Sequence, residues 1–235
     1  MSSYFSVFPR RPVFLPVVHV SSSKQALQNA DIAFDRGADG IFLINHDVSG
    51  DELLETFHVI KEHHAGWVGI NFLDLSPGEA VLRLPRNASG LWVDKSGVKE
   101  IGGVINDYEL RQWYQLRHTH SIDALYFGGV AFKYQPAVSN LVEVAHCASR
   151  SVDVVVTSGE GTGKAPDVNK IRLIRSGIGR DGALAVASGI NSQNIHRFIG
   201  LVDCFLIATG ISKSHTELDP IKVTELVRRL NVHSQ

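Results

Sequence analysis

Asp153-Val154-Val155-Val156-Thr157-Ser158-Gly159-Glu160-Gly161-Thr162-Gly163 is a short apolar run that breaks abruptly into small and polar residues. The chain repeats this form. Ala183-Leu184-Ala185-Val186-Ala187 runs into Ser188-Gly189-Ile190-Asn191, and Asp203-Cys204-Phe205-Leu206-Ile207 runs into Ala208-Thr209-Gly210-Ile211-Ser212. Upstream, Asp123-Ala124-Leu125-Tyr126-Phe127 runs into Gly128-Gly129. A continuous apolar run is what a parallel strand covered on both faces requires. A helical pattern follows each run. Strand, small loop and helix in repetition are the rhythm of a (β/α) barrel, whose site lies where the strands end.

The same reading extends to the rest of the chain. Further strands are predicted over 13–20, 40–45, 67–72 and 90–93. Helices are predicted over 22–36, 51–63, 108–118, 138–148, 168–175 and 192–199. Ala26, Ala30, Ala33 and Phe34 make the inner stripe of the first, and Gly37 supplies its C-terminal turn. Ser76-Pro77-Gly78-Glu79 opens another helix, with Ser as N-cap, Pro at the first helical position and Glu three residues on. Asp219-Pro220 opens the last, which buries Val223, Leu226, Val227 and Leu230. Gly177 is expected to end the helix before Ala183. The stretch 94–106 reads as a long irregular loop on the site face. Eight strand–helix pairs in 235 residues favour a closed (β/α)8 TIM barrel over an open doubly wound sheet. One domain over 1–235 is expected, with 1–12 as an N-terminal extension.

Composition narrows the partners. Lys+Arg (23) nearly balance Asp+Glu (24), so no basic field invites nucleic acid or an anionic membrane. No apolar stretch is long enough for a membrane span, and the N-terminus has no signal-peptide pattern. Cys147 and Cys204 fall in a predicted helix and a predicted strand, as core thiols of a cytoplasmic protein do. The Asn87-Ala88-Ser89 sequon is read as chance. A homo-oligomer is compatible with a barrel of this size, although no interface stripe is visible.

Two loops read as an anion seat. Ser188-Gly189 and Thr209-Gly210 follow the last two strands, where barrels recurrently hold phosphate, and glycine lets backbone N–H groups approach the ligand. The rival reading is that such loops simply need small residues. Gly159-Glu160-Gly161-Thr162-Gly163-Lys164 imitates a Walker A loop but fails it: Ser158 stands where the first glycine belongs, Ala165 follows the lysine, and Pro166 blocks an immediate helix. It is expected to be a substrate loop, with Thr157 and Thr162 as ligand contacts, or else a plain connector.

Polar residues close otherwise apolar strands. His19, Asn45, His46, Asp47, Asn71, Asp94 and Lys133 all fall at or just after predicted strand ends. A carboxylate and a lysine across one barrel mouth suit acid/base work, because partial desolvation moves both pKa values toward neutrality. Asp94 would be base or acid, with a loop salt bridge as the competing reading. Lys133 would be acid or electrostatic stabiliser, a plain cation for phosphate or carboxylate, or a Schiff-base lysine. His19 and Asn71 would orient, with a satisfied core histidine as the alternative for His19. No metal motif is present: His63-His64 and His118-Thr119-His120 fall at helix ends on the far face and are expected to be solvated. No cofactor is called for, although Mg²⁺ on Asp47 or Asp94 is compatible, since substrate phosphate can complete its shell.

Val17-Val18-His19-Val20, Gly69-Ile70-Asn71-Phe72-Leu73, Val156-Thr157-Ser158-Gly159 with Thr162-Gly163, Ala187-Ser188-Gly189-Ile190-Asn191 and Ala208-Thr209-Gly210-Ile211 together resemble the BtpA/SgcQ family. The resemblance runs from about Pro16 to Leu230. It implies a phosphate-binding-type TIM barrel, and it carries His19, Asn45, Asn71, Lys133, Thr157, Thr162, Ser188 and Gly189 over as matching positions. Ile44 departs from the pattern, since the family tends to place an acidic residue just before the strand-two asparagine. The expected function is an enzyme acting on a small phosphorylated metabolite, a sugar phosphate or nucleotide-like compound. Isomerisation, aldol-type cleavage and glycosidic-bond chemistry all remain open. The alternative, after the family's founding name, is a non-catalytic assembly factor as in photosystem I biogenesis.

Overall fold

The computed structural model describes residues 3–10 and 12–232. Eight parallel strands close into a barrel: β1 (Val13–His19), β2 (Gly40–Ile44), β3 (Trp67–Asn71), β4 (Gly90–Val93), β7 (Leu125–Gly129), β8 (Val154–Ser158), β9 (Ala183–Ala187) and β10 (Cys204–Ile207). Their order round the barrel is β1-β10-β9-β8-β7-β4-β3-β2. The outer layer is α2 (Ser23–Asp35), α3 (Gly50–His63), α4 (Pro77–Arg83), α5 (Tyr108–Thr119), α6 (Leu141–Ser149), α7 (Val168–Ile178) and α8 (Pro220–Asn231).

Period two sorts the strand residues into two cores. Leu15, Val17, Phe42, Ile44, Trp92, Phe127, Val154, Val156, Ala185 and Leu206 fill the barrel interior. Phe14, Val18, Ile41, Leu43, Val68, Ile70, Leu91, Val155, Leu184 and Phe205 point outward against the helices. Helix starts follow local chemistry. Ser49 with Glu52, and Ser76 with Glu79, form capping boxes, and Asp219 caps α8 ahead of Pro220.

The base of the barrel is fastened by carboxylates. Asp39 Oδ2 accepts the Phe14 N–H of the neighbouring strand at 2.8 Å. Asp153 Oδ2 accepts the Tyr126 N–H at 2.7 Å and an Arg117 guanidinium N–H at 2.8 Å. Asp203 Oδ2 accepts the Leu184 N–H at 2.9 Å and an Arg175 N–H at 2.5 Å. This is why an aspartate precedes these strands in the sequence: it joins its own strand to the one before. The N-terminal extension closes the same end. Its short helix α1 (Tyr4–Val7) buries Tyr4, whose hydroxyl donates to the Asp203 carbonyl at 3.1 Å and whose ring meets Phe127 edge-on at 6.5 Å.

Three expectations are corrected. Gly177 does not end its helix; it lies inside α7, where a Cβ would overlap the Val142 carbonyl of α6, so its role is close helix packing. The helix ends instead at Gly179. The helix expected over 192–199 is only the 3₁₀ turn Ile195–Arg197. Asn191 Oδ1 accepts the Gln193 and Asn194 N–H groups as an N-cap does, and the Ile195 N–H reaches the Asn191 carbonyl, but the turn then continues only through i→i−3 bonds from Arg197 to Asn194 and from Phe198 to Ile195. The 94–106 stretch is not wholly irregular: it carries an antiparallel hairpin, β5 (Lys99–Ile101) and β6 (Val104–Asn106).

Candidate functional site

A cavity of about 410 Å³ opens at the carboxyl ends of the strands. It brings together His19, Asp94, Lys133, Thr162, Ser188, Gly189, Thr209 and Gly210. Asn45, Asn71 and Thr157 are not on its wall. Asn45 and Thr157 share the outward parity of Leu43 and Val155, so the pleat turns them toward the helices. Asn45 is spent on the loop after β3, donating to Asp74 Oδ1 at 2.6 Å and accepting the Leu73 N–H at 2.8 Å. Thr157 is buried, and its hydroxyl donates to the Ala131 carbonyl at 3.4 Å. Asn71 points inward but lies buried, donating Nδ2–H to Asp94 Oδ1 at 3.4 Å.

The two loops expected to seat an anion are nested. Ser188 and Gly189 both take left-handed backbone conformations, with φ of 71° and 68°. A Cβ at Gly189 would overlap the backbone of Lys164 and Ala165, and one at Gly210 would overlap the Ile190 carbonyl. The loop after β8 thus leans on the loop after β9, which leans on the loop after β10. Among the described residues, the Gly189 and Ile190 amides have no protein acceptor. A serine held at positive φ is strained by about 1–3 kcal/mol, and such strain concentrates where backbone must present itself to a ligand.

Across the mouth lie the titratable groups. His19 Nδ1 is 3.2 Å from His215 Nε2, which is 3.4 Å from Asp47 Oδ2. The His46 ring centroid is 4.9 Å from that of His19. Burial, with His46, His215 and Lys133 adding positive charge nearby, brings the His19 pKa down to about 4. Burial lowers His46 as well, reinforced by His215 and Lys133. Burial pushes the Asp94 carboxyl up, against the opposing pull of Asn71 and Lys133. The site therefore holds a neutral imidazole and a carboxyl with raised proton affinity in one cavity. Among the described residues, no three His, Cys, Asp or Glu side chains are placed to hold a metal ion.

Several wall residues were not signalled as site residues. Trp92 shares the inward parity of Asp94, so period two along β4 would have found it. Phe132 and Tyr134 flank Lys133 and line the cavity. His215 comes from the polar stretch after β10, and nothing in its spacing marks it. Lys170 on α7 donates to the carbonyls of Ala131 at 2.5 Å and Ser158 at 2.7 Å, with its pKa lowered by burial.

A closed eightfold barrel whose mouth gathers small-residue loops and titratable side chains in one cavity defines the class of fold. The BtpA family model matches residues 114–232, and the chain belongs to the BtpA family. No curated protein sequence gives a significant match. Among solved structures, phosphoribosyl anthranilate isomerase from Thermus thermophilus is similar at TM-score 0.68 and 16% identity, over 94% of this chain and 98% of that one. Thiamine phosphate pyrophosphorylase from Pyrococcus furiosus is similar at TM-score 0.66 and 13% identity, over 97% and 100%. (S)-3-O-geranylgeranylglyceryl phosphate synthase from Thermoplasma acidophilum, in complex with sn-glycerol-1-phosphate, is similar at TM-score 0.66 and 12% identity, over 98% and 99%. At these identities the likeness concerns the fold. No helix among the described residues is long and apolar enough to cross a membrane.

Proposed function

We propose that this protein is an enzyme that binds a small phosphorylated metabolite and moves a proton on it. One observation carries the reading: the nested, glycine-dependent loops after β9 and β10 share a cavity with His19, Asp94 and Lys133. Ser188, Gly189, Thr209 and Gly210 would seat the phosphate, at the place where barrels recurrently bind it. The names of the three structural relatives each contain a phosphorylated compound, which agrees with this use of the fold.

The proton chemistry follows from charge. His19 is half-buried with its pKa brought down to about 4, so its ring stays neutral throughout the neutral range and is placed to act as a weak general base. Asp94, whose proton affinity burial raises, is placed to exchange a proton with the ligand, and Lys133 offsets negative charge that develops there. His215 and Asp47 stand behind His19 as its hydrogen-bonded support. Isomerisation, aldol-type cleavage and glycosidic-bond chemistry can each use a pairing of base and acid. Thermal unfolding with a panel of phosphate esters tests the reading. A true ligand at about 100 times its Kd adds roughly 2.7 kcal/mol of stability, a shift of several degrees. A panel that leaves the transition unmoved refutes it.

A further inference from the structure

The seat just described fixes one end of the ligand; the other end meets a different chemistry. Beyond Lys133 and Asp94, the cavity wall on the β4 and β7 side is Leu73, Trp92, Phe132 and Tyr134. Phe132 and Trp92 pack edge-on at 6.0 Å. Tyr134 is 80% exposed although it lines the cavity, so most of its ring is open to solvent. Strand β7 stands two places round the barrel from β9 and three from β10, so a ligand seated on the anion loops must extend across the mouth to reach it.

The backbone there is held in a costly form. Ala131 and Tyr134 both have positive φ, 46° and 63°, a region a bulky side chain adopts only under constraint. The constraint is visible. Lys170 grips the Ala131 carbonyl, the Lys133 N–H donates to Ser158 Oγ at 2.7 Å, and the Phe132 N–H donates to Gln135 Oε1 at 3.1 Å. The result is an aromatic ring at the cavity rim, with Lys133 Nζ 5.9 Å from its centroid and its hydroxyl 3.5 Å from Thr162 Oγ1. Such a platform serves a flat, unsaturated ring. A plain sugar phosphate has no ring face of that kind and gains less from it. The volume of about 410 Å³ is also ample for more than a phosphate with a short carbon chain.

Resting on the phosphate reading above, we propose that the substrate class is a phosphate monoester bearing a planar unsaturated ring, nucleotide-like, with Tyr134 as the stacking residue for that ring. Calorimetric titration with inorganic phosphate, ribose 5-phosphate, AMP and UMP tests it. At least one nucleotide should bind roughly 5- to 100-fold more tightly than ribose 5-phosphate, the range that loss of one base–aromatic stack spans. Tyr134→Ala should erase that preference while leaving the affinity for ribose 5-phosphate within about twofold. Tyr134→Phe, which keeps the ring and loses only the hydroxyl, should retain the preference. Equal affinities for ribose 5-phosphate and both nucleotides, or a preference that survives Tyr134→Ala, overturns the inference and leaves the phosphate seat standing. Failure of all four probes to bind overturns the seat and the inference together.

Discussion

Replacing His19 by glutamine should make this protein less sensitive to acid. The folded His19 has a pKa of about 4, set first by burial and then by His46, His215 and Lys133, against an unperturbed 6.5. Between those values the unfolded chain binds a proton that the folded chain refuses. Stability on this account is complete above about pH 6.5 and is lost as pH falls toward 4. Linkage between the two values gives a loss of about 2 kcal/mol at about pH 5, and the ring's partial contact with water reduces this to about 1 kcal/mol. Glutamine keeps a polar side chain of similar reach and removes the titration. Urea unfolding of both proteins at about pH 7.5 and about pH 5 measures the difference. The wild type should lose about 1 kcal/mol more than the variant. Asp39 and Asp94, whose pKa values burial raises, titrate with the opposite sign, and to first order their effects cancel in the comparison. An identical pH dependence in the two proteins would refute a neutral, desolvated His19, and with it the base assigned to the site.

Gly189→Ala should abolish phosphate binding in the titration above and cost on the order of 1–3 kcal/mol in urea, because the new Cβ meets Lys164 and Ala165 at a backbone angle that favours glycine. Tyr4→Ala should cost about 3–5 kcal/mol in chemical unfolding, by opening a hole in the barrel base, and should leave ligand affinity at the far end unchanged. Arg117→Met should cost about 2–4 kcal/mol, since the Asp153 carboxylate keeps only the Tyr126 N–H once the buried guanidinium is gone. A stability within about 0.5 kcal/mol of wild type would show that water already solvates that carboxylate.

The barrel was legible because its strands are apolar on both faces, so each reads as a run with a hard edge, and 13–19, 67–71 and 183–187 hardly differ from what the runs suggest. The helix lost after β9 was not legible, because Asn191 caps a helix start that continues only as a short 3₁₀ turn, and the capping signal reads the same in both cases. The hairpin over 99–106 left a readable sign, the pair Gly102-Gly103 with φ of 57° and 82°, which suits a two-residue turn between strands. In the site, residues on strands with inward parity were recoverable: His19 and Asp94 continue the interior sets of Val17 and Trp92. Asn45 and Thr157 were attractive by chemistry and face the wrong way by parity. His215 and Tyr134 were beyond reach, because loops of irregular backbone carry them to the mouth and no period encodes where a loop side chain points.

Asp39, Asp153 and Asp203 tie neighbouring strands together at the end of the molecule opposite His19 and Ser188. Integrity and chemistry are thereby entrusted to separate stretches of sequence. Exchanges among the rim loops disturb none of the ties below, so this framework can take on a new cargo without first having to find a new way to stay folded.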